Sequence, residues 1–209
     1  MGLYAPVPGD AAAVTRSLLD LLTVESRGFL ESYYARLEKL PEDAQYDAVR
    51  ESTDLKGRED LLERLQRDQN GGFALAVQVG LYPALVYVWV FTNGAASATV
   101  LLRIDPAITR SLEEEDDNRM NVVMFLTKIA AAIGSEWFIS GLFIEQWRPL
   151  TLEQLADTGH VRRWGRLLVV GWKPGSPAEP AISAAIHPPS EAVKQTTVGY
   201  SVFVNFLEI

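Results

Sequence analysis

Five consecutive acidic residues are the first candidate functional feature of this sequence. The acidic run consists of Glu113, Glu114, Glu115, Asp116 and Asp117. Adjacent carboxylates raise the local negative potential and attract a basic partner surface. A calcium loop instead alternates its ligands so that their oxygens converge, and these five residues do not alternate. We therefore expect the run to bind a protein partner and to hold no metal. The alternative is a helix N-terminus, where acidic side chains are stabilising.

A second candidate site is a cluster of basic and aromatic residues late in the chain. It consists of Arg162, Arg163, Trp164 and Arg166. Guanidinium groups bind carboxylates and phosphates through paired hydrogen bonds, so the cluster is a candidate contact for an anion or another ligand. Basic residues just before a strand also occur as solvent-exposed connections, and that alternative stays open.

The sequence lacks the motifs by which many enzyme classes are recognised, and it is poor in cysteine and histidine. It contains no cysteine and only two histidines, His160 and His187. It also contains no phosphate-binding loop, dinucleotide-binding glycine pattern, serine-hydrolase elbow, zinc-protease motif or calcium loop. We therefore assign no catalytic residues and expect no cofactor. A hydrolase that uses carboxylates without a recognisable motif is an alternative.

The charge balance favours a protein partner over nucleic acid. The 209 residues carry 27 acidic and 19 basic side chains, a net charge of −8, whereas nucleic-acid binding draws its affinity from Lys and Arg. The longest uninterrupted apolar run, residues 84–91, is far shorter than the about 20 residues of a membrane-spanning helix. The first 15 residues contain no Lys or Arg, and Asp20 interrupts the early leucines, so no secretory signal is predicted. We expect a cytoplasmic protein that binds neither nucleic acid nor a membrane.

The N-terminal third is predicted to be mainly helical. Asp10 suits a helix N-cap, and apolar residues follow it at helical spacing up to Pro41. One long helix or two shorter ones would fill residues 10–40, with Arg27–Gly28 as the expected break. Leucines among charged neighbours predict a further amphipathic helix over residues 58–68.

After Gly72 the hydrophobic period changes from that of a helix to that of strands. Three segments rich in valine, aromatic and β-branched residues should form an antiparallel meander: residues 73–80, 85–92 and 97–104. Asn93–Gly94 is a typical two-residue hairpin turn. A largely buried helix over residues 118–133, ended by Gly134, should cover these strands.

The rest of the chain completes an α+β pattern. Further strands are predicted in the Trp137 region and at residues 167–172, 181–187 and 200–207, and short helices at residues 151–156 and 190–197. These elements predict a single α+β domain over residues 1–209, with N-terminal helices packed on a mainly antiparallel sheet. The helical part would cover residues 10–70, and the sheet and helix part residues 73–209.

This order of elements resembles one α+β group of immunity proteins from bacterial polymorphic-toxin and type VI secretion systems. The resemblance covers roughly residues 57–173. It is carried by the helix at 58–68, the strands within 73–104, the helix at 118–133, the Trp137 region and the segment Gly165-Arg166-Leu167-Leu168-Val169-Val170. It implies a cytoplasmic, non-enzymatic protein that neutralises a cognate toxin by direct binding. Such proteins commonly present an acidic surface to a basic toxin domain.

A small-molecule-binding domain is another alternative. Five tryptophans could line its pocket: Trp89, Trp137, Trp147, Trp164 and Trp172. Packing in the core or at its boundary is the other common use of such side chains. A deep pocket with converging polar groups would favour the small-molecule alternative.

Overall fold

A computed structural model of the protein describes residues 2–24, 29–36, 51–53, 55–68, 70–79, 82–92, 97–104, 116–141, 167–186 and 193–206. The helices within these ranges are α1 (Ala11–Val24), α2 (Arg58–Asp68), α3 (Asp116–Ala132) and α4 (Glu179–Ile186). The strands are β1 (Gly2–Pro8), β2 (Phe29–Arg36), β3 (Glu51–Thr53), β4 (Asn70–Val79), β5 (Tyr82–Thr92), β6 (Ser97–Ile104), β7 (Trp137–Gly141), β8 (Leu167–Trp172), β9 (Val193–Gln195) and β10 (Ser201–Phe206).

These ten strands form one sheet. Their order is β3-β2-β4-β5-β6-β1-β7-β8-β10-β9, and every neighbouring pair is antiparallel. The predicted meander is confirmed, because β4, β5 and β6 are consecutive neighbours. The predicted α+β class with a mainly antiparallel sheet is confirmed as well. The single-domain organisation over residues 1–209 stays a prediction.

Helices α1, α2 and α3 pack on one face of the sheet, which we call the α1 face. Helix α1 begins as predicted, because the Asp10 carboxylate accepts a hydrogen bond from the Ala13 amide at 2.8 Å. The α1 residues that belong to the hydrophobic core form one stripe: Ala11, Val14, Leu18, Leu19 and Leu22. Helix α1 contacts β4, β5 and β6, whereas α3 contacts β4 and β7. The predicted helix α3 therefore covers part of the meander, and α1 and α2 cover it as well.

Helix α2 is fixed to the sheet by a buried tyrosine. Tyr34 of β2 is 2% exposed, and its hydroxyl donates to Asp68, the last residue of α2, at 3.0 Å. Burial, followed by the neighbouring Asp68 carboxylate, raises the pKa of Tyr34, so the hydroxyl remains a donor. A Cβ at Gly71 would lie 2.7 Å from the Tyr34 hydroxyl, which explains the glycine on β4. A salt bridge of 2.6 Å between Arg58 and Asp20 links α2 to α1.

Helix α4 packs on the opposite face, which we call the α4 face. Ile182 and Ala185 of α4 are buried against a cluster that includes Trp172 and Phe203. The Glu179 carboxylate accepts hydrogen bonds from the Trp172 indole at 3.2 Å and from the Gly175 amide at 2.6 Å. These contacts hold the N-terminal end of α4 against β8.

Three sequence predictions are wrong in their secondary structure. Helix α1 ends at Val24, and the part of the predicted helix at 29–36 is strand β2, paired with β3 and β4. The predicted strand at 181–187 is helix α4 over its described residues, because Ala178, Ile182 and Ala185 share one buried helical face. Within the predicted helix at 190–197, residues 193–195 form β9, which pairs with β10. The predicted helix at 151–156 and the Asn93–Gly94 turn lie outside the described residues.

Candidate functional site

Most residues of the two sequence-predicted sites lie outside the described part of the structure. These residues are Glu113, Glu114 and Glu115 of the acidic run and all four of Arg162, Arg163, Trp164 and Arg166. Asp116 and Asp117 are the first two residues of α3, which places the end of the acidic run at a helix N-terminus. Both predicted binding roles stay predictions.

An open pocket of about 330 Å³ lies where three separate segments meet. The end of β1 supplies Pro6, Val7 and Pro8, and the start of β6 supplies Ser97 and Ala98. The third segment supplies Trp137, the first residue of β7, and Glu136, which precedes it. Ligand pockets usually measure about 300–1,000 Å³, so this one suits a small group or a single side chain. We call it the Glu136 pocket.

The pocket opens where the pairing between β1 and β7 stops. Strand β1 pairs with β6 from Gly2 to Pro8 but with β7 only from Gly2 to Tyr4. The Pro6 carbonyl accepts a hydrogen bond from the Ser135 hydroxyl, just before β7, so Pro6 points its backbone towards β7. Pro8 does the same, because residues two apart in a strand face the same neighbour. Neither proline has an N–H to donate, and the ladder ends there.

A glycine-ended turn delivers the third segment to the pocket. The amide of Gly134 donates to Ala131 at 3.1 Å, and the amide of Ser135 donates to Ala130 at 2.9 Å. Gly134 has a φ of 74°, a left-handed conformation that glycine adopts without strain. This bonding pattern is the Schellman motif, and it confirms Gly134 as the predicted end of the helix. The chain direction at Glu136 is therefore set by backbone hydrogen bonds.

The Ser135 hydroxyl ties two walls of the pocket together. Its Oγ lies 2.6 Å from the Pro6 carbonyl oxygen and 2.6 Å from the Trp137 carbonyl oxygen. Ser135 is 0% exposed, and its own carbonyl accepts a hydrogen bond from the Tyr200 hydroxyl. The hydroxyl is thus occupied with backbone oxygens inside the protein. It holds the pocket in shape and does not face a ligand.

Trp137 supplies a wall that is fixed by aromatic packing. It is 6% exposed, and its ring lies 5.6 Å from that of Tyr4 at an angle of 47°. Its backbone neighbour in β8 is Trp172, and both tryptophans belong to the core under α4. Trp89 is half-buried against that core. Packing thus accounts for these three tryptophans, and Trp137 also lines the pocket. Trp147 and Trp164 lie outside the described residues.

Glu136 brings a negative charge to the pocket. Its side chain is exposed and forms no ion pair with any residue that the structure describes. Lys173 donates its amide to the Glu136 carbonyl at 2.8 Å, but its ammonium lies 5.7 Å from the centroid of the Tyr200 ring. Burial and then the Glu136 charge raise the pKa of Tyr200 to about 12. Tyr200 therefore stays protonated and keeps donating to the Ser135 carbonyl.

This arrangement is suited to binding a positively charged group. The pocket combines one exposed carboxylate with apolar proline and tryptophan surface. The carboxylate suits a cation, and the proline and tryptophan surface suits the apolar stem that carries the cation. Among the described residues there is no group of three or more His, Cys, Asp or Glu side chains placed to hold a metal ion. No helix in the described ranges is long and apolar enough to cross a membrane.

Sequence reasoning missed this pocket because its residues are far apart in the chain. Two signals were available in part: Gly134 predicted the helix end, and the Trp137 region predicted a strand. Nothing in the sequence connects that strand with Pro6 and Pro8. No protein-family model, curated protein or solved structure matches the chain, so the candidate site is defined by geometry alone.

Proposed function

We propose that this chain is a non-enzymatic binding protein of the immunity type, which neutralises a cognate toxin in the cytoplasm by contacting its basic surface. The observation that carries the proposal is the acidic excess, a net charge of −8 with five consecutive carboxylates at 113–117. Exposed charges of one sign steer an oppositely charged partner and speed its association. Acidic and basic residues are nearly balanced within the described ranges, so most of the excess belongs to the rest of the chain.

The position of the acidic run supports a role at the surface of α3. Asp116 and Asp117 begin this helix, and Glu113, Glu114 and Glu115 precede it. A helix N-terminus stabilises about one or two nearby carboxylates through its partial positive charge, and the effect fades beyond the first turn. Five adjacent carboxylates exceed what one helix end requires. The surplus charge is therefore available to a basic partner.

Small-molecule binding is the second candidate function, and one observation favours it. The Glu136 pocket has a volume typical of ligand sites, and one of the five tryptophans, Trp137, lines it. However, few polar side chains line the pocket. The Ser135 hydroxyl behind it already hydrogen-bonds backbone carbonyls and does not contact a ligand. Protein binding remains the leading proposal because it accounts for both the pocket and the acidic excess.

The proposed function is tested by coexpression with the product of the gene encoded beside this chain. That product alone should arrest the growth of a bacterial host, and coexpression of this chain should restore growth. Purified together, the two should elute as one complex in size-exclusion chromatography. Continued growth arrest while both proteins are present and folded would contradict the proposal.

Two variants of equal net charge test whether the acidic run steers the partner. One changes Glu113 and Glu114 to Gln, and the matched control changes Glu59 and Glu63, two exposed residues of α2, to Gln. The first should slow association with the partner several-fold at low salt and little at high salt, because salt screens exposed charges. The control should have the smaller effect. Equal effects from both variants would assign the steering to overall charge and not to the run.

A further inference from the structure

The Glu136 pocket carries a charge that the described structure does not balance. Glu136 is exposed and forms no ion pair with a described residue, and the nearby Lys173 ammonium is placed over the Tyr200 ring. An unpaired carboxylate beside apolar walls gains most from a ligand that brings a cation, since the charge then acquires a hydrogen-bonded partner. The charge of the pocket thus selects a positively charged group.

The shape of the pocket suits a charged group on an apolar stem. Pro6 and Pro8 form one wall and Trp137 another, and these surfaces are apolar. Lysine and arginine side chains have methylene stems that cover apolar surface while the charged end reaches a polar partner. A volume of about 330 Å³ is large enough for one such side chain.

The pocket walls are fixed before any ligand arrives. The Schellman turn sets the direction of the chain at Gly134, and Ser135 joins the Pro6 and Trp137 backbones. Tyr200 and Lys173 hold the carbonyls of Ser135 and Glu136 respectively. Binding to a preformed pocket costs the protein little conformational entropy.

From this charge, shape and rigidity we infer that the Glu136 pocket receives a lysine or arginine side chain of a protein partner. Glu136 pairs with the cationic end, and Pro6, Pro8 and Trp137 contact the stem. The identity of the partner rests on the proposed function, since a basic toxin would present such side chains. The preference of the pocket for a cationic side chain does not depend on it.

The inference is tested by titrating the full, 15N-labelled chain with side-chain probes in NMR. The probes are the N-acetyl methylamides of lysine, of arginine and of norleucine, which has an apolar stem without the charge. The lysine and arginine probes should shift the Trp137 indole and Glu136 amide signals saturably. They should bind about tenfold more tightly than the norleucine probe, the usual scale of one charge-assisted hydrogen bond. Higher salt should weaken their binding.

Two variants separate the pocket carboxylate from general acidity. Glu136→Gln should reduce lysine binding about tenfold, to the norleucine level, because one charge-assisted hydrogen bond is lost. The matched control Glu59→Gln removes an exposed carboxylate on α2 and should leave the shifts unchanged. Equal binding of norleucine, or no saturable shift with lysine and arginine, would overturn the inference.

The same titration distinguishes a side-chain pocket from a small-molecule site. Butylamine, the free counterpart of the lysine stem, should bind only in the millimolar range, because an isolated side chain lacks the rest of a protein interface. Micromolar binding of butylamine would overturn the partner assignment. The titration needs no toxin, so failed growth rescue with intact probe binding would contradict only the proposed function. Absent probe binding with intact rescue would contradict only the pocket inference.

Discussion

Replacing Ser135 by Ala should destabilise the protein and loosen the Glu136 pocket together. The serine hydroxyl lies 2.6 Å from each of two carbonyl oxygens, those of Pro6 and Trp137. These belong to the end of β1 and the start of β7, where no ladder pairing joins the two strands. One side chain therefore replaces the missing strand pairing at this point.

The size of the effect follows from burial. Ser135 is 0% exposed, and a hydroxyl has one proton, so one strong hydrogen bond is present at any instant. Its removal leaves buried carbonyls without their donor, which costs about 1–3 kcal/mol. The deleted oxygen leaves little empty volume, so no large cavity contribution is added. We expect the free energy of unfolding to fall by about 1–3 kcal/mol, or a melting temperature lower by about 2–12 °C for a chain of this size.

Urea unfolding followed by tryptophan fluorescence measures this change. The dependence of the unfolding free energy on urea should stay constant, because the same surface is exposed on unfolding. Ser183→Ala is the matched control, since Ser183 is an exposed residue of α4 and should change stability by less than about 0.5 kcal/mol. In NMR, the Trp137 indole signal should shift or broaden in the Ser135 variant only.

Two results would refute this account of Ser135. The first is a loss of stability below about 0.5 kcal/mol with an unchanged Trp137 signal, because the hydroxyl would then not hold the pocket walls. The second is strict additivity between Ser135→Ala and Tyr200→Phe. Tyr200 donates to the Ser135 carbonyl, so the two changes act on one turn and should be energetically coupled.

Three further experiments test the packing that supports the site. Thr15 is 0% exposed and its hydroxyl has no hydrogen-bond partner among the described residues, so Thr15→Val should maintain or raise the free energy of unfolding in urea. The matched control Thr127→Val loses a 2.6 Å hydrogen bond and should lower the free energy of unfolding by about 1 kcal/mol. Gly171→Ala would place a methyl group on the Phe138 ring and should cost about 1–3 kcal/mol, with part recovered by Phe138→Leu. Leu126→Ala should cost about 2–5 kcal/mol, because Leu126 is 1% exposed; a loss below about 0.5 kcal/mol would show that it is not core.

Elements with a strong local pattern could be predicted closely from the sequence. The predicted bounds of α2, β6 and β8 agree with the structure. Each of these elements has a clear apolar pattern and ends at a turn signal. Local sequence preference and tertiary packing therefore favour the same secondary structure. Helix α3 was predicted within two residues because Gly134 provides its stop.

The wrong elements share a pattern that two structures can satisfy. Phe29, Leu30 and Tyr34 of β2 suit one face of a helix, but β2 instead pairs with β4, a strand distant in sequence. Pairing with a distant strand determines the secondary structure of this segment. A short stretch of sequence around β2 does not include that partner strand. Strand β1 was missed because Pro6 and Pro8 argue against a strand between two others. In the structure both prolines lie in the part of β1 that does not pair with β7, so their missing N–H groups remove no hydrogen bond between these two strands.

The candidate site was less predictable than the fold. Glu136 is one ordinary acidic residue in the sequence, and its distinction is spatial: it lies beside two prolines about 130 positions earlier and has no described ion-pair partner. The residues that sequence reasoning chose instead, at 113–117 and 162–166, stood out by local charge density. Local density predicts a surface feature, whereas a pocket depends on which segments the sheet brings together.

Helix α3 relates the acidic run to the Glu136 pocket. Asp116 begins the helix, and Glu136 follows its C-terminal turn. The 17 residues of α3 span about 25 Å at 1.5 Å per residue. A standard protein interface covers about 800 Å² on each partner, equivalent to a disc about 32 Å across. The two ends of α3 are therefore closer together than the width of one such interface. If one partner binds both, Glu113→Gln with Glu114→Gln should act mainly on the association rate and Glu136→Gln mainly on the dissociation rate, because exposed charges steer encounter and a filled pocket holds the complex.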